Sequence, residues 1–275
     1  MGRGRKLETL EDYQRALQGK YGLGEGVGYK PWLRVQDVKS HGGRSQIYGR
    51  KTARTHHFFS SIEREFFYIA EFSDSVVDIR EQFPLLPLNV SQKIARTINV
   101  EHPVHPKTKE PIIITTDFLL TLKTDRGIKY LAVSVKPESE MSDKRTLEKI
   151  DIERVWWELL NVDFLLFTGN EFTRIQSRNI SWASAPFREN ARMFSELQVT
   201  QALSQLAVGK CFIDEICDDL SEKNIVQHIE ALTLLRFLIS NKFIDVDLSL
   251  DMEESGMLEI TNVRLIQDMV ANGYR

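Results

Sequence analysis

The pattern best suited to chemistry in this 275-residue chain is Asp117, followed after a turn by Ser134-Val135-Lys136. Residues 112–123 and 128–136 are rich in β-branched side chains, and Thr124-Asp125-Arg126-Gly127 separates them, which reads as a β-hairpin. A two-residue turn makes paired residue numbers sum to an odd value and sets Asp117 opposite Ser134 or Lys136 on one face. Such a carboxylate can bind Mg2+ or Mn2+ through hard oxygen, and the metal then polarises a phosphate and activates a water. A nearby ammonium can orient that water or offset charge building on the phosphate oxygens. One carboxylate is a poor metal site, so a second must converge, and Glu63 is the best candidate. Each group also has an ordinary alternative role. Asp117 and Lys136 can form a surface ion pair on a hairpin, and Glu63 can be the N3 member of a capping box that starts at Ser60.

The elements that must position these groups follow from periodicity. A helix is expected from Ser60 or Ser61, with Ile62, Phe66, Ile69 and Ala70 on one face. Residues 75–80 read as a strand that Pro84 and Pro87 cut short. In residues 112–122 the even positions form an almost wholly apolar face, and 115, 117, 119 and 121 form the other. Residues 143–160 read as a long amphipathic helix, in which Trp156-Trp157 packs against the sheet. Residues 163–168 form a short apolar run suited to a buried parallel strand. The fold class is therefore α/β, a mixed sheet flanked by helices, complete by residue 168. Before it come a helix over residues 7–20 and a glycine-rich stretch at 22–28 that suits a flexible connection. From residue 169 to 275 three helices (195–206, 211–220, 225–239) and two short strands (243–250, 257–261) suggest a winged-helix-like domain, although other small helical folds fit nearly as well.

Charge divides the chain. Residues 1–57 hold 12 Lys and Arg against 5 Asp and Glu, whereas residues 191–275 hold 7 against 14. A basic amino-terminal arm suits a polyanion such as DNA, and an acidic carboxyl-terminal region repels one; two ordinary solvated surfaces would read the same way. Arg44, Arg50, Lys51 and Arg54 are candidates for DNA-phosphate contacts. His56-His57 could touch a phosphate or metal, or simply be solvated. No phosphate loop, dinucleotide fingerprint or Gly-x-Ser-x-Gly elbow occurs. No apolar run approaches the length of a membrane span, and the basic residues 1–10 have no apolar core after them, so they are not expected to act as a secretory signal. Two cysteines, Cys211 and Cys217, cannot build a disulfide framework or a zinc site, so a reduced cytoplasmic setting is expected.

Several blocks resemble a known family. Tyr29-Lys30-Pro31-Trp32-Leu33, Arg54-Thr55-His56-His57, the block from Asp78 to Pro87 (DIREQFPLLP), Thr116-Asp117-Phe118-Leu119, Val135-Lys136-Pro137 and the block from Arg145 to Arg154 occur in family order. The chain thereby resembles the TnsA family, the endonuclease subunits of heteromeric cut-and-paste bacterial transposases. The resemblance implies a restriction-endonuclease-like catalytic domain over residues 1–168 that hydrolyses the 5′ strands at transposon ends. It implies Mg2+ as cofactor, with Mn2+ able to substitute and two ions expected. Glu63, Asp117 and Lys136 are then the catalytic residues, and Glu63, Asp117 and the Val135 carbonyl the metal ligands. The implied partners are transposon-end DNA, the integrase-like transposase TnsB that cuts and joins the 3′ ends, and the AAA+ regulator TnsC, contacted by a winged-helix-like domain at 169–275. The implied location is the bacterial cytoplasm, at the nucleoid. Family members carry Gln two residues before the lysine, where this chain has Ser134; a hydroxyl reaches less far than an amide. Two other readings stay open, a stand-alone restriction or junction-resolving nuclease and a DNA-bound adaptor with a degenerate nuclease fold.

Overall fold

The computed structural model describes residues 4–38, 43–188 and 193–264. The chain divides into two compact units, Met1–Gly169 and Asn170–Arg275. Among the described residues no helix is long and apolar enough to cross a membrane.

The first unit is built on a mixed sheet of β3 (Val76–Pro84), β4 (Thr115–Thr124), β5 (Gly127–Val135) and β6 (Asp163–Phe167), in that order. Its first three strands are antiparallel, and β6 runs parallel to β5. The turn between β4 and β5 is two residues long, Asp125-Arg126, and every pair from Thr124↔Gly127 to Phe118↔Val133 keeps the odd-sum register. The parallel β6 is an edge strand and only partly buried, with Leu165 43% exposed. Phe164 and Phe167 each reach a different core cluster, but the strand has one neighbour, so it is not in the fully buried position expected.

Helix α2 (Ser61–Phe72) lays Phe66, Phe67 and Ala70 on one face of the sheet against Phe118, Leu120, Val133 and Val135. Helix α4 (Lys144–Leu159) covers the other face with Ile152, Trp156 and Trp157 against Leu119 and Ala132. The two tryptophans meet edge to face, 4.7 Å between ring centroids. Helix α3 (Leu88–Thr97) joins this second layer through Ile94 and Ala95. It begins just beyond the prolines, where the sequence shows breakers more strongly than helix periodicity.

Ahead of the sheet lie α1 (Leu10–Gln18) and an antiparallel hairpin of β1 (Ser45–Gly49) and β2 (Arg54–Phe58). The hairpin occupies a stretch whose polar, glycine-containing composition gave no strand signal. Gly49 is needed there, because a Cβ would meet His56 Nε2 at 2.5 Å. The glycine-rich stretch is not a free linker. Gly22 (φ +77°) packs on Pro84, Gly26 N–H donates to Asp78 Oδ1 at 3.2 Å, and Trp32 N–H donates to the Gln82 carbonyl at 3.2 Å. This arm is fastened along β3.

The second unit begins with α5 (Glu171–Ser184), a helix the periodicity did not reveal, and continues through α6 (Glu196–Leu203), β7 (Gly209–Phe212), α7 (Ile213–Glu222), α8 (His228–Ser240), β8 (Ile244–Val246), α9 (Met252–Ser255) and β9 (Met257–Val263). Cys211 and Phe212 belong to β7, not to the start of a helix, so the expected two-stranded hairpin is a three-stranded antiparallel sheet of order β7-β9-β8. Leu234, Leu235 and Leu238 of α8 are fully buried in its core. Both cysteines are free.

Candidate active site

Asp117 sits where β4 rolls over. Strict alternation would put Thr116 and Phe118 on one face, as the sequence suggests, but they serve opposite layers. Phe118 packs against Phe66 of α2, with centroids 5.0 Å apart, whereas Thr116 Oγ1 accepts a 2.7 Å hydrogen bond from Trp157 Nε1 of α4. The partner strand rolls at the same level. Glu81, opposite Phe118, reaches the β1–β2 side, and Phe83, opposite Thr116, packs with Trp157. Between them Gln82 has φ +50°, a left-handed conformation that breaks the two-residue repeat.

Past Phe118↔Val133 the β4–β5 ladder stops, and the Asp117 carboxylate takes over its bonding. Oδ2 accepts from Val135 N–H at 2.7 Å and from Lys136 Nζ at 2.8 Å, and Oδ1 from Gln82 Nε2 at 3.4 Å. The same ammonium donates to the Val135 carbonyl at 2.8 Å. Lys136 is held from behind by its N–H bond to the Phe167 carbonyl of β6. The Asp117–Lys136 pair is thus a largely buried bridge, not the exposed ion pair that a hairpin surface would give.

Glu63, in the first turn of α2, is 7% exposed. Ser60 Oγ caps the helix by accepting from Glu63 N–H at 3.2 Å. Glu63 in turn accepts from Ser60 Oγ on Oε1 at 2.8 Å and from Phe59 N–H on Oε2 at 3.1 Å, not from the Ser60 N–H that a full capping box would use. It also shares the field of Asp117. Burial and the Asp117 charge push its carboxyl up to about 7, against the hydrogen bonds from Phe59 and Ser60 and the charge of Lys136. Its bonds at the helix start therefore leave it within the field of Asp117.

A third carboxylate, Glu153 of α4, was missed as a site residue because its position in a helix reads as one more charged side chain. It is buried, and burial and the Asp117 charge push it up to about 8, with Lys136 opposing. Thr116 Oγ1 lies 3.4 Å from its Oε2. Ser134 Oγ is buried close enough to influence Glu153 but makes no well-formed hydrogen bond. Lys136, despite a burial that favours the neutral amine, is held charged well above the usual range by Asp117, Glu153 and Glu63.

Three carboxyl groups around one ammonium in a desolvated spot cannot all ionise together, so two of them are pushed towards their protonated forms, and a further cation would let them ionise. Lys136 Nζ already bridges Asp117 Oδ2 and the Val135 carbonyl, acting as a stand-in cation on two of the expected ligand oxygens. Among the described residues no three His, Cys, Asp or Glu side chains form a ready-made metal cage. The oxygens that the ammonium bridges are Asp117 Oδ2 and the Val135 carbonyl.

The other candidates separate. Arg54 is not available for DNA. It is buried, and its guanidinium is spent on Glu81 (2.9 and 2.6 Å) and the Ile79 carbonyl (2.6 Å). His56 is fully buried between Glu81 and Thr52, at 2.8 and 2.7 Å, so it is structural and neither solvated nor a ligand. His57 is half-buried, and burial pulls its pKa down. Arg44, Arg50 and Lys51 are exposed on or beside the hairpin. Lys51 Nζ is held by the Ser73 and Val76 carbonyls, and Arg44 by those of Val35 and Val38.

Residues 73–169, which hold Asp117, Lys136 and Glu153, match the family model described as TnsA-like endonuclease N terminal. The chain is 35% identical over 242 residues to the Escherichia coli transposon Tn7 transposition protein TnsA, covering 85% of this chain and 87% of that protein. A match of that extent, joined to a buried carboxylate–lysine site on a mixed sheet, makes this chain a member of the TnsA family, a transposase endonuclease that acts on DNA.

Proposed function

We propose that this chain hydrolyses the 5′ strand at each transposon end, using Mg2+ or Mn2+ held by Glu63, Asp117 and the Val135 carbonyl. The observation that carries this reading is the Lys136 ammonium lodged between Asp117 Oδ2 and the Val135 carbonyl, beside two further buried carboxylates. Divalent ions, one or two, would supply Lewis-acid polarisation of the phosphate and an acidified water. The chain's own groups do the rest. Asp117, with Oδ2 pinned by the Val135 N–H, presents a fixed carboxylate edge. Lys136, released from one of its two oxygens, stays charged and offsets the negative charge that grows on the phosphate oxygens. Glu63 would share in holding the ion once its proton has passed to solvent. In this reading water attacks the phosphorus directly, with no covalent intermediate on the chain. Arg44, Arg50 and Lys51 would hold the DNA backbone alongside the hairpin.

In this reading TnsB cuts the 3′ strands, and the second unit docks the AAA+ regulator TnsC. The order α6-β7-α7-α8-β8-β9, with β9 between β7 and β8, suits a winged helix. Its α8 exposes Ile229 and Leu232 instead of cations, and Arg236 on the same helix is tied to the Trp182 carbonyl. That face suits a protein better than a phosphate backbone.

The test is Asp117→Ala in the reconstituted transposase, with each strand end-labelled. Loss of 5′-strand cleavage by about 10³-fold or more, with 3′ cleavage and complex assembly intact, is the expected result. Undiminished 5′ cleavage removes the proposed site. Efficient cutting by the isolated wild-type chain favours a stand-alone nuclease, and absence of Mn2+ binding by calorimetry favours the non-catalytic adaptor.

A further inference from the structure

Gln82 combines two features that rarely coincide. Its backbone is left-handed (φ +50°) inside a strand, and its side chain is 4% exposed. Glycine or asparagine adopts this conformation with less strain, so the backbone alone gives no reason for glutamine. The side chain does. Its amide spans two residues of β4, with Nε2 3.4 Å from Asp117 Oδ1 and Oε1 accepting from Thr115 Oγ1 at 3.1 Å. A carboxylate can only accept, so the NH2 end must face Asp117. The backbone of Gln82 is clasped in turn, its carbonyl by Trp32 N–H at 3.2 Å and the adjacent Glu81 carbonyl by Tyr29 Oη at 3.0 Å.

We infer that Gln82 is a positioning residue for Asp117, and that its strained backbone is kept because only a long amide at that point can reach Oδ1. Val135 N–H and Lys136 Nζ both act on Oδ2, so rotation of the carboxylate about Cβ–Cγ is opposed from one oxygen, and a donor on Oδ1 fixes its plane from the other. The Gln82 amide stops that rotation and leaves Oδ2 facing the Val135 carbonyl and Lys136. The residue does not touch the reacting phosphate in this scheme; it acts through Asp117. The inference rests on the site proposed above.

Two variants separate side chain from backbone. Gln82→Met keeps the length and the backbone strain but has no donor. Gln82→Gly takes the left-handed conformation freely and also has no donor. Both are expected to lower the turnover rate for 5′-strand cleavage at saturating DNA by about 10–100-fold, the range for removing a group that orients a ligating carboxylate. Half-saturating DNA concentration and 3′-strand cleavage should not change. In calorimetry with Mn2+ alone, both full-length variants should bind about tenfold more weakly. The melting temperature of at least one should stay within about 4 °C of wild type, which shows that the loss is not unfolding. Cleavage and Mn2+ affinity within twofold of wild type in the Gly variant would overturn the inference and leave Gln82 a backbone device. Asp117→Ala, run in parallel, keeps the two readings apart. If it is inactive while the Gln82 variants are normal, only this inference fails; if it is active, the site itself falls.

Discussion

Glu81 and Asp117 stand on neighbouring strands, one register position apart, and both are buried carboxylates. Glu81 receives two bonds from the Arg54 guanidinium, one from His56 and one from the His57 N–H at 3.2 Å. Burial by itself would raise its pKa, yet His56 and Arg54 outweigh burial and hold it well below the usual carboxylate range. Around Asp117 the balance is reversed. One ammonium faces three carboxylates, and two of those are pushed up towards neutrality. A buried cluster that satisfies itself locks two elements together, here β2 and β3. A buried cluster whose carboxyls must hold protons to coexist is poised for a cation that the chain does not itself supply.

The comparison can be broken at either end. The largest effect on stability is expected from Glu81→Ala. It strands the Arg54 guanidinium and His56 in the core and should cost about 3–5 kcal/mol, read as a shifted denaturant midpoint. A loss under about 1 kcal/mol would show that the cluster is not the clamp described here.

pH sharpens the contrast, because the two clusters respond with opposite sign. Glu63 and Glu153 have folded pKa values of about 7 and 8 against an ordinary 4.5. Between about pH 4.5 and 8 the folded chain thus holds protons that the unfolded chain releases. The stability they lend is complete at or below pH 4.5 and is lost as pH rises through 7 and 8, roughly 3 kcal/mol for Glu63 alone. Glu81, with its folded pKa lowered, contributes stability above about 4.5 that disappears only in acid. The metal-free chain should therefore melt several degrees lower at pH 9 than at pH 6, and Asp117→Asn should flatten that slope. A melting temperature that rises over this range contradicts the crowded-carboxylate picture.

The smallest effect is expected from Glu153→Gln. At pH 7 the residue is mostly protonated, so a neutral isostere should change stability by no more than about 1 kcal/mol. The same change at Glu81 removes a charge that the buried Arg54 guanidinium depends on, and should cost more than that. Equal effects at the two positions would erase the distinction between a satisfied and a crowded cluster.

Much of this was legible in residue types and spacing. The odd-sum register of β4 and β5, the helix start at Ser60 and the parallel β6 follow from local rules: a two-residue turn, a capping serine, and a short apolar run after an amphipathic helix. Local rules also named Glu63, Asp117 and Lys136 as groups that could meet, because strand alternation and a first-turn position are properties of neighbouring residues. Only the tertiary structure could decide what surrounds them. The face switch at Gln82, the entry of Glu153 from a helix on the far layer, and the capture of Arg54 and His56 by Glu81 all depend on contacts between residues 25 or more positions apart. Burial, and with it the cost of each charge, is set by those contacts. A sequence can nominate a carboxylate or an arginine for chemistry, but packing determines whether its charge is already answered.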